Sequence, residues 1–265
     1  MHPILFKIGN FPIGTYGLLL TVGFFLALML AQWLGRKEGI PQESISDLAI
    51  TLLLAGVIGS KLLMVIVDLC NGVGFAQVFD LGYLRAGGAI HGGIIGATAA
   101  FFWRVKRLKL PLAPTLDCLT PAVALGQAIG RLGCFSAGCC YGTACTLPWA
   151  VTFTDPNAQL LSGTPLEMAL HPVQLYTFLA NFLIMAILLV IRKYRRFSGQ
   201  VSGCYFILEG IGRMVTEHWR GDLDRGFLLG IPWLSTGRLT SSLFVLFGCG
   251  LLAWFSRRPR KAVTA

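Results

Sequence analysis

Seven apolar runs divide this sequence, and basic residues gather at every second boundary between them. A hydrocarbon core about 30 Å thick asks for roughly 20 mostly apolar residues per helix. The runs at 14–34, 47–67, 87–103, 114–135, 173–191, 201–219 and 236–255 meet that length or approach it. The first, fifth and last are plain, whereas glycines and charges interrupt the third, fourth and sixth. The pattern predicts an all-α integral membrane protein of about seven transmembrane helices. Composition agrees. Only 13% of the residues are charged, where a soluble domain carries about a quarter, and the mean hydropathy is +0.69.

The basic clusters set the orientation. Arg36 and Lys37 follow the first run; Arg104, Lys106, Arg107 and Lys109 follow the third. Arg192, Lys193, Arg195 and Arg196 follow the fifth, and Arg257, Arg258, Arg260 and Lys261 the last. These are fourteen of the 22 Lys and Arg residues, all on one side if seven helices alternate. The alternate loops hold Arg85 in one and Arg220 and Arg225 in another. By the positive-inside rule the N-terminus lies outside and the C-terminus in the cytoplasm. Orientation thus accounts for the net charge of +10, and no nucleic acid is expected as a partner.

No cleavable signal peptide is expected, because the first residues lack a basic region leading into a short apolar stretch and a cleavage site. Met1 to Ile13 reads as a short amphipathic or loop segment. The long loops are outer ones, from Asp68 to Ala86 and, between helices four and five, from Ser136 to Pro172. A loop as long as the second is usually functional. Within it Trp149 to Phe153 alternates like a short strand or an interfacial segment, and Asp155-Pro156-Asn157 reads as a turn. A single domain over residues 1–265 is expected, with 136–172 as a small outer subregion. A transporter would more often show repeated halves, and no internal repeat is visible.

Charges within apolar runs are expensive, so Lys61, His91, Asp117, Arg131, Arg213 and Glu217 must pair, reach water or bind something. Lys61 and Asp68, two turns apart, read as a structural pair. Arg213, Glu217 and Arg220 share one helix face by their spacing. An internal ion pair would satisfy Glu217 but not both arginines. Arg131 stands in Gly126-Gln-Ala-Ile-Gly-Arg-Leu-Gly133, where the glycines open backbone space beside the guanidinium, as expected where a ligand approaches. Guanidinium groups grip phosphate bidentately, so two intramembrane arginines point to a phospholipid headgroup. His91, flanked by glycines in Gly87-Gly-Ala-Ile-His-Gly-Gly93, is either a satisfied structural residue or a general base, since imidazole titrates near neutrality. His171-Pro172 reads as a turn into the fifth helix.

Cys134, Cys139, Cys140 and Cys145 cluster at the outer end of the fourth run. Zinc would want paired C-x₂₋₄-C units, which this spacing fits poorly, and no metal site is expected. A disulfide of Cys145 with Cys139 or Cys140 suits an oxidising outer compartment, and Cys134 reads as a small packing residue. Thiol redox chemistry is disfavoured, because no C-x-x-C is present. Cys70, Cys118, Cys204 and Cys249 read as ordinary small apolar residues.

Together the motifs resemble a family. The run Gly130-Arg-Leu-Gly-Cys-Phe-Ser-Ala-Gly-Cys-Cys-Tyr-Gly142 is similar to the signature of bacterial prolipoprotein diacylglyceryl transferases. So are Thr15-Tyr-Gly17, His91-Gly-Gly93, His171-Pro-Val-Gln-Leu-Tyr176 and Gly212-Arg-Met-Val-Thr-Glu-His-Trp-Arg220, in the family's order. The resemblance implies a multi-pass enzyme of the bacterial cytoplasmic (inner) membrane. It moves the diacylglyceryl group of phosphatidylglycerol to the lipobox cysteine of a prolipoprotein signal peptide, forming a thioether and releasing glycerol phosphate.

On that resemblance Arg131 and Arg213 hold the phosphate, and His91 takes the thiol proton. Tyr16 donates to the headgroup, Glu217 and Arg220 are further headgroup or supporting contacts, and Gly142 permits close approach of lipid or peptide. Lipid enters from the bilayer, and the loop from Ser136 to Pro172 meets the signal peptide. No cofactor is implied. The chain departs from the usual signature at Cys134 and Ala137, where Asn is common, at Cys139, where Glu is, and at Arg238, where Gln is. Another group takes over there, or the acceptor or lipid donor differs, as in an offshoot that lipidates another acceptor.

Overall fold

A computed structural model describes residues 3–9, 11–80, 83, 87–221 and 235–257. Arg85, Arg225, Arg258, Arg260 and Lys261 of the charge pattern lie outside the described residues. Among the described residues stand seven long helices, of 18 to 29 residues. They are α1 (Thr15–Arg36), α2 (Gln42–Cys70), α3 (Ile90–Arg107), α4 (Leu112–Ala137), α6 (Val173–Tyr194), α7 (Gln200–Glu217) and α8 (Thr236–Ser256). A short helix, α5 (Pro156–Ser162), lies between α4 and α6. Five helices, α1, α2, α4, α6 and α8, are long and apolar enough to cross a membrane. The chain is therefore a helical, multi-pass membrane protein.

Two small sheets qualify the all-α expectation. The N-terminal segment, expected as an amphipathic or loop stretch, pairs as an antiparallel hairpin of β1 (Ile4–Ile8) and β2 (Phe11–Gly14). In the long loop, β3 (Val151–Thr152) pairs with β4 (Ala169–Leu170), which bears out the strand read there. Asp155-Pro156-Asn157 is not an isolated turn. Asp155 caps α5 by accepting the Asn157 N–H at 2.9 Å, with proline at the first helical position.

Close contacts divide the chain into two compact units, Met1–Ala31 with Leu116–Ala265, and Gln32–Thr115. In the second unit α2 and α3 cross on bare backbone. A side chain at Gly59 would strike the carbonyl of Gly92, one at Gly92 that of Gly59, and one at Gly96 would meet the Ala55 oxygen at 2.5 Å. Lipid-facing helices gain nothing by hiding apolar surface from one another, so small residues that let backbones touch supply the attraction. Arg104 pairs with Asp47 in this unit. Lys61 donates to the carbonyls of Tyr83 at 3.1 Å and Gly87 at 3.2 Å, while Asp68 accepts from the Tyr83 hydroxyl at 2.7 Å. Lys61 and Asp68 thus both converge on Tyr83, whose phenol the Asp68 carboxylate pushes up to about 12.

The first unit packs by the same device. Gly203, Gly210 and Gly248 seat α7 against α8, and Phe206 meets Phe244 and Phe247 edge to face at 5.5 and 4.8 Å. Ala124, Ile184, Leu188, Val201 and Tyr205 form a core between α4, α6 and α7. Asp117 is the polar pin of this core. Fully buried, it accepts from the backbone N–H groups of Gly199 (2.7 Å) and Ser202 (2.9 Å) and from Arg195 (3.3 Å). A carboxylate from α4 therefore caps the N-terminus of α7, where the helix dipole favours negative charge.

Candidate active site

The face of α7 that carries the site is written at four-residue spacing: Tyr205, Glu209, Arg213 and Glu217 stack one above the other. Tyr205 donates to Gln127 Oε1 on α4 at 3.0 Å. Arg213 lies 3.1 Å from Glu217, which is 2% exposed. Ser235, the N-cap of α8, donates to Glu217 Oε1 at 2.9 Å, and Gly237 clears the space above the carboxyl. The Glu217 carboxylate thus ties the end of α7 to the start of α8 as well as facing Arg213.

Beyond α7, residues 141–143 and 219–221 run antiparallel. Gly142 bridges Arg220, Thr143 N–H donates to the Trp219 carbonyl at 2.9 Å, and Gly221 N–H to that of Tyr141 at 3.1 Å. On its other side the segment bonds residues 169–171, through Cys145 N–H to Ala169 and His171 N–H to Thr143, both 2.9 Å. Arg220 is thereby held by backbone pairing rather than by helix. A β-carbon at Gly142 would run into the His171 carbonyl and lie 2.6 Å from its Cβ. The missing side chain there is taken up by His171, where the motif suggested room for lipid or peptide.

Arg131, Arg213 and Arg220 line one small recess with Cys140, Val173, Gln174 and Thr177. Glu209 lies within electrostatic reach of Arg131 and Arg213. Gln174 is 1% exposed; its amide donates to the Cys139 carbonyl at 2.8 Å, but its Oε1 is buried with no hydrogen-bond partner among the described residues. Neither Gln174 nor Glu209 is singled out by sequence reasoning. Glu209 was legible as a member of the four-residue series, and Gln174 only as part of the His171–Tyr176 motif. A buried acceptor left open is unusual and marks where a donor belongs.

The glycines around Arg131 have another use than the sequence suggests. Gly126 faces Ala27 and Gly23, Gly130 faces Leu20, and a β-carbon at Gly133 would lie 3.0 Å from the Tyr16 ring. They seat α4 on α1, so the close approach they permit is by a helix. Tyr16, itself 42% exposed, comes within electrostatic reach of Arg131, Cys134, Cys139 and Cys140. His91 belongs to the other compact unit, exposed in the first turn of α3. Its neighbours Gly92 and Gly93 are occupied by the packing against α2.

The cysteines bear on two of the readings. None of the eight is disulfide-bonded, Cys145 included, so of the readings open for the cluster the disulfide is not formed. The sulfurs of Cys134, Cys139 and Cys140 lie within 4.8 Å of one another, a set able to hold a metal ion that their spacing concealed. Gly138, at φ 84°, turns the chain back at the end of α4, and Cys140 itself sits at φ 58°. Thr164 and Gln174 hold this turn by donating to the carbonyls of Gly138 and Cys139. Hydrogen bonds from Cys134 and Cys139, with Arg131 and Arg220 nearby, hold the Cys140 thiol below its ordinary range.

A recess lined by three arginines, beside a cluster of thiols, is thus set in a helical, multi-pass membrane protein. The chain belongs to the prolipoprotein diacylglyceryl transferase family, whose model matches residues 3–254. It is 35% identical to the phosphatidylglycerol–prolipoprotein diacylglyceryl transferase of Clostridium tetani over 94% of this chain and 95% of that one. The enzymes of the same name from Finegoldia magna (35%, covering 84% and 85%) and Photobacterium profundum (31%, covering 99% and 96%) are similar along comparable lengths.

Proposed function

We propose that this protein transfers the diacylglyceryl group of phosphatidylglycerol to the lipobox cysteine of prolipoprotein signal peptides, making a thioether and releasing glycerol phosphate. The observation that carries the reading is the recess. Three guanidinium groups meet two nearby carboxylates among the described residues, Glu209 and Glu217, a setting suited to one phosphodiester. In a low-dielectric site guanidinium charge is worth far more than in water. The charge on the phosphate grows as glycerol phosphate departs, so the same groups favour the transition state over the bound lipid.

Arg131 and Arg213 clamp the phosphate, and Arg220 supplies a third contact from the paired segment. Gln174 Oε1 accepts from a glycerol hydroxyl, which satisfies an acceptor left open among the described residues. Tyr16 donates to the headgroup from the α1 side. The role of His91, acceptance of the acceptor thiol's proton, rests on its motif. In this reading all seven long helices span the cytoplasmic membrane with the N-terminus outside. The outer loop from Ser136 to Pro172 then meets the signal peptide.

Release of glycerol phosphate from phosphatidylglycerol, measured with and without a lipobox peptide, tests the reading. Release should require the peptide. Arg131→Ala should lower kcat about 10²–10³-fold, the usual consequence of removing one donor to a developing charge. Unchanged release by Arg131→Ala would remove the phosphate clamp.

A further inference from the structure

We propose that Cys134, Cys139 and Cys140 form a three-thiolate site for a zinc ion, whose fourth position takes the acceptor thiol of the transfer reaction. The proposal rests on the transferase reading for the identity of that fourth ligand, and on the geometry of the cluster for the metal.

Three sulfurs gathered within 4.8 Å of one another already approach the face of a tetrahedron. With Zn–S bonds of about 2.3 Å, sulfurs in a zinc tetrahedron stand ~3.8 Å apart, so closure asks for a movement of about 1 Å or less. The turn carrying Cys139 and Cys140 is fixed by two buried side chains, Thr164 and Gln174. The third ligand comes from the last turns of α4. An all-thiolate set selects soft ions such as zinc. Three thiolates around Zn²⁺ leave one negative charge, and Arg131 and Arg220, both within electrostatic reach of Cys140, offset it.

Three protein ligands and an open position are the arrangement of catalytic rather than structural zinc. Cys140 also lines the arginine recess, so an ion held by the trio lies at the recess wall. An acceptor thiol that takes the fourth position becomes a thiolate and releases its proton to water. The zinc-held sulfur attacks the glyceryl carbon that bears the phosphate oxygen. A C–S bond forms as the C–O bond breaks, and the electron pair leaves on glycerol phosphate beside the three arginines. Zinc keeps its oxidation state throughout.

The test begins with metal analysis of the full-length protein purified without chelator, followed by chelation and reloading with cobalt chloride. One zinc per chain is expected in the wild type and in Cys204→Ser, and loss of it in Cys134→Ser and Cys140→Ser. The cobalt form should show thiolate-to-cobalt charge transfer that changes on adding a lipobox peptide and not its Cys→Ser counterpart. Apo protein should lose about 10²-fold or more of its transfer activity and regain it with zinc. A disulfide within the trio, copper in place of zinc, or a metal-free wild type would overturn the site. Full activity of the apo protein would overturn the catalytic role while leaving the transferase reading intact. A peptide-dependent cobalt spectrum without thioether formation would instead overturn the transferase reading and leave the site.

Discussion

At the scale of single residues, the ionisable groups of the first unit divide by what surrounds them. Among the described residues Asp117 faces donors that need it: two backbone N–H groups, the Ser202 hydroxyl and Arg195. Asp117→Ala would strand all of them in a buried setting, and breaking a buried pair from one side costs about 3–5 kcal/mol. Thermal denaturation in detergent should show that loss, with glycerol phosphate release per folded molecule unchanged. Arg131 lines a recess instead, and its substitution should act on the reaction rather than on the fold. The distinction was only half legible in the sequence. That Arg131 and Arg213 lie within apolar runs is plain from the residues, because charge in hydrocarbon is rare. The convergence of Cys134, Cys139 and Cys140 was not, because it depends on a left-handed turn at Gly138 rather than on any regular spacing.

At the scale of elements, glycine decides which helices touch. Gly92 is in backbone contact with α2, whereas a β-carbon at Gly87 would meet nothing within 4 Å. Gly92→Leu should therefore cost about 1–3 kcal/mol by overpacking, and Gly87→Ala should stay within about 0.5 kcal/mol; paired thermal scans separate them. The long helices were legible because apolar runs of bilayer length have few other uses. The short elements were not. A seven-residue helix such as α5 is too brief to show its period, and Asp155 and Pro156 serve a turn and a helix start equally well. The hairpin of β1 and β2 pairs through its backbone, with a register shift between Ile4 and Phe6 that no strict alternation announces. Glycines near Arg131 and His91 were visible, but whether a helix or a ligand fills the space beside them is a tertiary fact.

At the scale of the whole molecule, the proposed enzyme has seven spans with its basic clusters in the cytoplasm. Single cysteines placed at Lys37, Lys109, Glu167 and Arg196 in a cysteine-free background report the topology. Only the one at Glu167, in the long loop, should react with an impermeant maleimide from the outer side; labelling at Lys109 from that side would break the alternation. The central claim is chemical, and mass spectrometry of the acceptor addresses it most directly. Purified protein in phosphatidylglycerol-containing vesicles, given a lipobox peptide, should add one diacylglyceryl mass to the cysteine sulfur through a hydroxylamine-stable thioether, and nothing to the serine counterpart. An unmodified cysteine peptide, under conditions where an established family member modifies it, would contradict the account.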